Sequence, residues 1–140
     1  LAEKVGARRI ITLGGFGVGH LVEEPRVLGA VNKPDLRAEI EVAGVTFERP
    51  EPGGGIIGAA GLMLALSAQR GINAVCLMGE TSGYIVDPMA AVSVLAILSK
   101  LIDVPVDPKG LNDRAAEMEE AIACMVEGEK AKDDELNYIG

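Results

Sequence analysis

The chain has 140 residues, of which 49% are hydrophobic, and its formal net charge is −8. This composition fits one globular domain with a hydrophobic core and excludes an intrinsically disordered protein. The acidity argues against a nucleic-acid partner, because phosphate binding needs clustered Lys and Arg. The longest apolar stretch without a charge, residues 53–68, is too short and too rich in glycine for a membrane span of about 20 residues.

Runs of apolar residues, interrupted by Gly and Pro, predict alternating strands and helices with short connections. In the first half of the chain the predicted elements are a helix end at 1–7 closed by Gly6, a strand at 9–13, a glycine loop at 14–25, a strand at 26–31, a helix at 34–43 with Asn32 as a candidate cap, and a brief strand at 45–48. In the second half they are a loop at 49–55, a buried helix at 56–70 followed by Gly71, a central strand at 73–80, a loop at 81–86, a helix at 88–102, and a last helix from 108 to about 127.

The second half carries the clearest local signals. Asp87-Pro88 and Asp107-Pro108 each predict a helix start, because Asp is favoured at the N-cap and Pro at the position after it. Residues 73–80 are apolar almost throughout, which is typical of a central parallel strand covered on both faces. This order of elements predicts an α/β fold, a three-layer sandwich with a mostly parallel sheet.

The predicted α/β domain covers residues 1–127, and residues 128–140 form a charged segment that we expect to be a flexible tail. The chain begins without Met, in what the pattern indicates is the end of a helix. We therefore expect it to be the C-terminal portion of a larger α/β domain.

The stretch GGFGVGH, residues 14–20, resembles a phosphate-binding loop at first sight. A dinucleotide fingerprint needs glycines at i, i+2 and i+5 that open a helix; Gly15 and Gly17 fit, but the third position is His20. No Lys is near, so a Walker loop is excluded as well. We predict a flexible glycine loop at a strand end, with contact to some ligand as the alternative.

The stretch GETSGY, residues 79–84, also follows a strand and resembles a nucleophile elbow. The elbow pattern G-x-S-x-G is not met, because Ser82 lies one position late. A triad of Ser82 with His20 and Asp87 would need a coincidence of folding, and Asp87 is explained more simply as a helix cap. Glu80 is the better polar candidate, with a structural role in accepting loop N–H groups as the simpler interpretation. Taken together, the possible ligand-contacting residues of the two loops are Gly15, Gly17, His20, Glu80, Thr81 and Ser82.

The sequence gives little support for a metal site or for redox chemistry. One His and the isolated Cys76 and Cys124 offer no metal-ligand spacing, so we expect no metal and no cofactor. Cys76 lies in an apolar run and is expected to be buried. The absence of a C-x-x-C pair or a visible signal peptide favours a reducing, cytoplasmic compartment.

Two helices predicted at 56–70 and 88–102 are apolar almost all round. A helix on the surface of a sandwich normally keeps one polar face. We therefore expect these helices to be covered by a second copy in a homo-oligomer, or else by a preceding segment.

Residues 61–107 resemble the proteasome assembly chaperone 2 (PAC2) family, in its archaeal branch. The resemblance is carried by Arg70-Gly71-Ile72, the stretch CLMGETSGY, Asp87-Pro88 with two alanines, and the helix VLAILSKL; GGFGVG and RVLGAVN upstream fit as well. It extends from about residue 8 to 126. It implies an α/β sandwich without a catalytic site, which acts as a chaperone or adaptor on proteasome α-subunits.

The resemblance also implies docking through the C-terminal tail, in the manner of hydrophobic-Tyr-X motifs. This tail ends Leu136-Asn137-Tyr138-Ile139-Gly140, so Tyr138 is third from the end, and Asn137 precedes it. We expect Leu136, Tyr138, Ile139 and Gly140 to contact the partner. The alternative is an enzyme, an ATP-grasp-like ligase or a small-molecule hydrolase, with its site at the two loops.

Overall fold

The computed structural model describes residues 2–47 and 58–124, apart from 85, 119 and 122. Its elements, after a 3-10 turn at Glu3–Val5, are β1 (Arg9–Gly17), β2 (Val27–Val31), α1 (Leu36–Val42), α2 (Ala59–Gln69), β3 (Asn73–Thr81) and α3 (Pro88–Ile102). A further helix, α4, includes residues 109–118. The predictions for residues 49–55 and for the tail at 128–140 concern residues outside the described ranges.

The sheet has the strand order β1-β3-β2. β1 runs parallel to β3, and β2 runs antiparallel to it. The predicted α/β sandwich is confirmed, and its sheet is partly parallel. The parallel pair places the C-terminal ends of β1 and β3 side by side.

The central strand β3 divides the core into two layers, because its alternate side chains point to opposite faces. Val75 and Leu77 pack with α1 and α3, whereas Ala74, Cys76 and Met78 pack with α2. Each of these five side chains is buried, which explains why β3 is apolar almost throughout.

The strand β1 is longer than predicted. Residues 14–17, expected in a loop, continue the parallel pairing, with Gly15 opposite Gly79 and Gly17 opposite Thr81. The positive φ of 80° falls at Gly19 instead. Pairing with β3 outweighs the low strand propensity of glycine.

Asn32 does not cap α1. Its side-chain amide donates to Ile72 O at 2.7 Å and its carbonyl oxygen accepts from Ala74 N–H at 2.9 Å, so it joins the end of β2 to the start of β3. The N-cap position of α1 is Asp35, whose side chain makes no capping bond. The cap prediction was wrong because a partner about 40 residues away in the chain occupies the amide.

Two other predictions need correction. The strand expected at 45–48 is reduced, within the described residues, to a single bridge between Thr46 and Leu28. The helix α2 was expected to be buried, but in the described chain Leu62 is 59% exposed and Met63 is 37% exposed. Only Leu64 and Ser67 of this helix are buried, because one face alone contacts the sheet.

Candidate functional site

The two loops singled out in the sequence meet at one edge of the fold. The register of β1 and β3 places Phe16 opposite Glu80 and Gly17 opposite Thr81. Beyond the strands, Val18 N–H donates to Thr81 O at 2.8 Å. A Cβ on Gly17 would lie 3.5 Å from the Cα of Gly83, so the two backbones pass close together. The glycines thus allow two backbone segments to approach each other closely.

Glu80 forms the most extensive polar contact of this edge, and its partner is Arg26. The antiparallel register of β2 and β3 pairs Val27 with Gly79, which brings the preceding Arg26 beside Glu80. Arg26 Nε donates to Glu80 Oε2 at 3.0 Å, its Nη2 donates to Oε1, and its backbone N–H donates to Oε2 at 3.1 Å. Glu80 N–H donates in return to Arg26 O at 3.0 Å. The two residues form a clamp between the strands.

The two partners of this clamp differ sharply in exposure. The Glu80 side chain is 7% exposed and that of Arg26 is 56% exposed. Hydrogen bonds from Arg26 lower the pKa of Glu80, and they outweigh the opposing effect of burial, with a further lowering from the charge of His20. Glu80 is therefore a buried, ionised carboxylate with its oxygens occupied, which is a poor general acid or base.

The remaining polar residues of the two loops are engaged in local turns. Ser82 is buried, and its hydroxyl accepts from Tyr84 N–H at 3.3 Å. Thr81 Oγ1 accepts from Gly83 N–H at 3.4 Å. His20 is exposed, and its Nδ1 lies 3.2 Å from Val18 O. These short-range contacts stabilise the turns of the two loops.

The hypothetical triad does not assemble in the described chain. Asp87 Oδ1 accepts from Ala90 N–H at 3.0 Å and thereby caps α3, as its sequence position predicted. No hydrogen bond joins Ser82, His20 and Asp87 to one another among the described residues. Hydroxyl activation requires a base within hydrogen-bond reach of the nucleophile.

Two open grooves flank this edge, and both are mainly apolar. One, of about 530 Å³, lies beside the strand ends and is lined by Leu13, Gly14, Gly15, Thr81, Asp87, Ala90, Ala91, Val94, Leu95 and Leu111. The other, of about 540 Å³, lies between the loop after β1 and the helices α3 and α4. Neither groove has a Lys or Arg among its described lining residues, whereas a nucleotide phosphate requires such groups or an amide cradle. Their chemistry suits aliphatic or aromatic side chains.

The described part of the chain has neither a metal-binding cluster nor a membrane-spanning helix. No group of three or more His, Cys, Asp or Glu is placed to hold a metal ion there. Cys76 is buried, and burial raises its pKa, which disfavours the thiolate that binds metals. None of the helices there combines the length and the apolar character needed to cross a bilayer.

Sequence reasoning identified Glu80 but missed its bond to Arg26. The available signal was an arginine just before one strand and a carboxylate at the end of another. Using it required the strand register, which the sequence does not give. The groove between α3 and α4 was also missed, because its lining residues come from three separate parts of the chain.

The comparisons with known proteins agree with this architecture. The family model described as PAC2 family matches residues 1–126. The uncharacterized protein MJ1210 of Methanocaldococcus jannaschii is 41% identical over 145 residues, a match that covers 96% of this chain and 55% of that protein.

Two solved structures from Pyrococcus furiosus are similar over most of the chain. PbaB, an archaeal proteasome activator, matches with a TM-score of 0.79 and 39% identity, over 89% of this chain and 53% of its own. PbaA, an archaeal homolog of proteasome-assembly chaperone, matches with a TM-score of 0.79 and 29% identity, over 97% of this chain and 56% of its own. The chain thus spans about half the length of these relatives.

Proposed function

Because the chain belongs to the PAC2 family, we propose that it is part of a non-catalytic chaperone or adaptor that binds proteasome α-subunits in the cytoplasm. The observation that carries this proposal is the likeness to PbaB, at 39% identity and a TM-score of 0.79. PbaB is an archaeal proteasome activator and PbaA a homolog of a proteasome-assembly chaperone. A proteasome-related partner for this chain is the simplest extension of that likeness.

The chemistry of the strand ends supports a binding role over a catalytic one. Glu80 is engaged by Arg26, and the Ser82 hydroxyl accepts a bond within its own turn. Gly15, Gly17 and Thr81 contribute mainly backbone contacts at this edge. No specific observation favours the ligase or hydrolase alternative, and we do not propose it.

The segment 136–140 is the proposed docking element. Charged residues at 129–135 precede it, and it presents an aromatic and two aliphatic side chains. A Tyr can fill an apolar slot of the partner and keep its hydroxyl bonded. Tyr138 would carry most of the binding energy.

We further propose that α2 and α3 contribute to a homo-oligomer. Leu62 and Met63 of α2 expose apolar side chains in the described chain, which a second copy would cover. Several copies would present several tails to the proteasome ring. Weak individual contacts would then act together through effective concentration.

The experiment is a binding titration of the full-length protein against purified archaeal proteasome α-subunits. Three variants are compared with the parent: a chain ending at Glu135, Tyr138→Ala, and Asn137→Ala as the matched control. We expect the truncation and Tyr138→Ala to weaken binding at least about tenfold, the loss of one well-packed aromatic anchor. Asn137→Ala should change the affinity less than about twofold. If the parent does not bind α-subunits, the proposal that they are the partner is rejected. If the parent and the three variants bind with equal affinity, the proposal that residues 136–140 are the docking element is rejected.

A further inference from the structure

The loop that joins β1 to β2, residues 18–26, is fastened at both ends to neighbouring residues of β3. At its start, Val18 N–H donates to Thr81 O at 2.8 Å. At its end, Arg26 N–H donates to Glu80 Oε2 at 3.1 Å, and Glu80 N–H donates to Arg26 O at 3.0 Å. Because its two ends lie side by side, the segment is a compact surface loop of the Ω type, a form that often carries function.

The loop that follows β3 lies directly beside the first one. A Cβ on Gly83 would lie 3.4 Å from the Cα of Gly17, so the two backbones are in contact where the loops begin. Tyr84 N–H donates to the hydroxyl of the buried Ser82 at 3.3 Å, which fixes the turn of this second loop. We call the two loops together the loop platform; its described residues are 18–26, 82–84 and 86.

The loop platform directs three large apolar side chains into water. In the described chain Leu21 is 62% exposed, Tyr84 is 80% exposed and Val86 is 77% exposed. Leu21 and Val86 also line one open groove, so the side chains of the two loops form a single surface. Single exposed apolar residues are common, but several on loops that are tied together are typical of a recognition surface. Tyr is among the residues that most often dominate the energy of a protein interface.

The charge of this region selects the kind of partner. Residues 18–26 and 80–87 carry four carboxylates and one guanidinium, and the guanidinium is engaged by one of the carboxylates in the clamp described above. Glu23 and Glu24, at the tip of the first loop, are exposed. A second copy of this chain would bring the same carboxylates to the contact, and its net charge of −8 makes it a poor occupant. A segment with Lys or Arg beside apolar side chains complements both features of the surface.

We propose that the loop platform is the docking surface for a partner segment whose aliphatic or aromatic side chains are flanked by Lys or Arg. Tyr84 and Leu21 contact the apolar side chains, and the exposed carboxylates of the first loop pair with the cations. The clamp between Arg26 and Glu80 positions this surface, because it holds the end of the first loop against β3. The surface lies on the domain itself and is separate from the docking proposed for residues 136–140.

The test titrates two fluorescently labelled synthetic peptides with the parent protein and follows their anisotropy. Both peptides contain the core Leu-Phe-Leu, which is flanked on both sides by Lys in one peptide and by Glu in the other. The variants are Tyr84→Ala, the double substitution Glu23→Lys with Glu24→Lys, and Val42→Ala. All four positions are exposed, so each variant should fold. Val42→Ala is the matched control, because it truncates an apolar side chain that is 90% exposed on α1, away from the two loops.

The parent protein should bind the Lys-flanked peptide with a dissociation constant below about 1 mM, and about fivefold more tightly than the Glu-flanked peptide at low salt, the effect of two exposed ion pairs. Tyr84→Ala should weaken this binding at least about tenfold, and Val42→Ala less than about twofold. The double charge reversal should make the Glu-flanked peptide the tighter ligand. In about 1 M salt, where the screening length is about 3 Å, the preference between peptides should vanish while the effect of Tyr84→Ala persists.

The proposal is overturned if the Lys-flanked peptide does not bind, or if both peptides bind equally at low salt. Equal effects of Tyr84→Ala and Val42→Ala would place the contact elsewhere and overturn it as well. Self-association of the parent that Tyr84→Ala abolishes, without peptide binding, would assign the surface to a second copy instead. These measurements contain no α-subunit, so a failure of the proposed α-subunit binding would leave them unchanged.

Discussion

Replacing Arg26 with Met tests the clamp from its exposed side. The substitution preserves much of the side-chain volume but leaves Glu80, whose side chain is 7% exposed, without its guanidinium partner. Removing one partner of a buried ion pair costs about 3–5 kcal/mol, and the surviving backbone N–H of Arg26 offsets part of this. We expect a loss of about 2–4 kcal/mol in the free energy of unfolding.

The reverse substitution and an exposed pair provide the matched controls. Glu80→Gln keeps an acceptor for Arg26 N–H and leaves a guanidinium that is already 56% exposed, so it should cost only about 1 kcal/mol. Arg9→Met breaks a pair with Glu39 whose side chains are 27% and 51% exposed, and should cost at most about 1 kcal/mol. Urea unfolding followed by circular dichroism measures all three variants.

The pH dependence of the unfolding free energy distinguishes the cost of a buried charge without its partner from the cost of lost packing. In the parent protein the pKa of Glu80 is lowered, so its ionisation stabilises the fold above the pKa of an unfolded Glu, about 4.3. That stability is lost as the pH falls through the folded pKa. In the Arg26→Met variant burial would raise the pKa instead, so the cost relative to the parent should shrink between about pH 7 and pH 4. A cost that stays constant with pH, or that equals the cost of Arg9→Met, would refute the reasoning.

Two further predictions concern close packing and the amide bridge. Gly79→Ala should lower the unfolding free energy by about 2–3 kcal/mol in the same urea assay, because its Cβ would lie 2.7 Å from Ala90 O. The control Gly110→Ala, whose Cβ would have nothing within 4 Å, should change the unfolding free energy by less than about 1 kcal/mol in either direction. Similar losses at both positions would contradict the packing argument. Asn32→Ala should lower the melting temperature by several degrees, reflecting about 2 kcal/mol, because it leaves the N–H of the buried Ala74 and the carbonyl of the half-buried Ile72 without a side-chain partner. An unchanged melting temperature would show that water replaces the amide.

Local signals were sufficient to predict several elements. Asp87-Pro88 marks the start of α3, which runs from Pro88 to Ile102 as predicted. Gly71 follows α2 with a positive φ of 71°, and the apolar run of β3 became the central strand. Caps, left-handed glycines and apolar runs act through neighbouring residues, so the sequence displays them directly.

The residues that misled prediction are those whose partners lie far along the chain. Whether residues 14–17 form a loop or a strand is decided by pairing with residues 78–81 of β3. The amide of Asn32 is equally suited to a cap or to a strand partner, and only the position of residues 72–74 decides between them. Local propensity is too weak to resolve such choices against a tertiary hydrogen bond.

The sequence by itself determined the layered α/β architecture and the apolar character of the two long helices, because periodicity and composition follow from which side chains must leave water. Only the tertiary structure decided that Glu80 is neutralised by Arg26, that the glycines lie in a strand, and that α3 and α4 enclose a groove. Each of these depends on strand register or helix placement. A single residue step in register turns every side chain to the other face, and no local pattern encodes that choice.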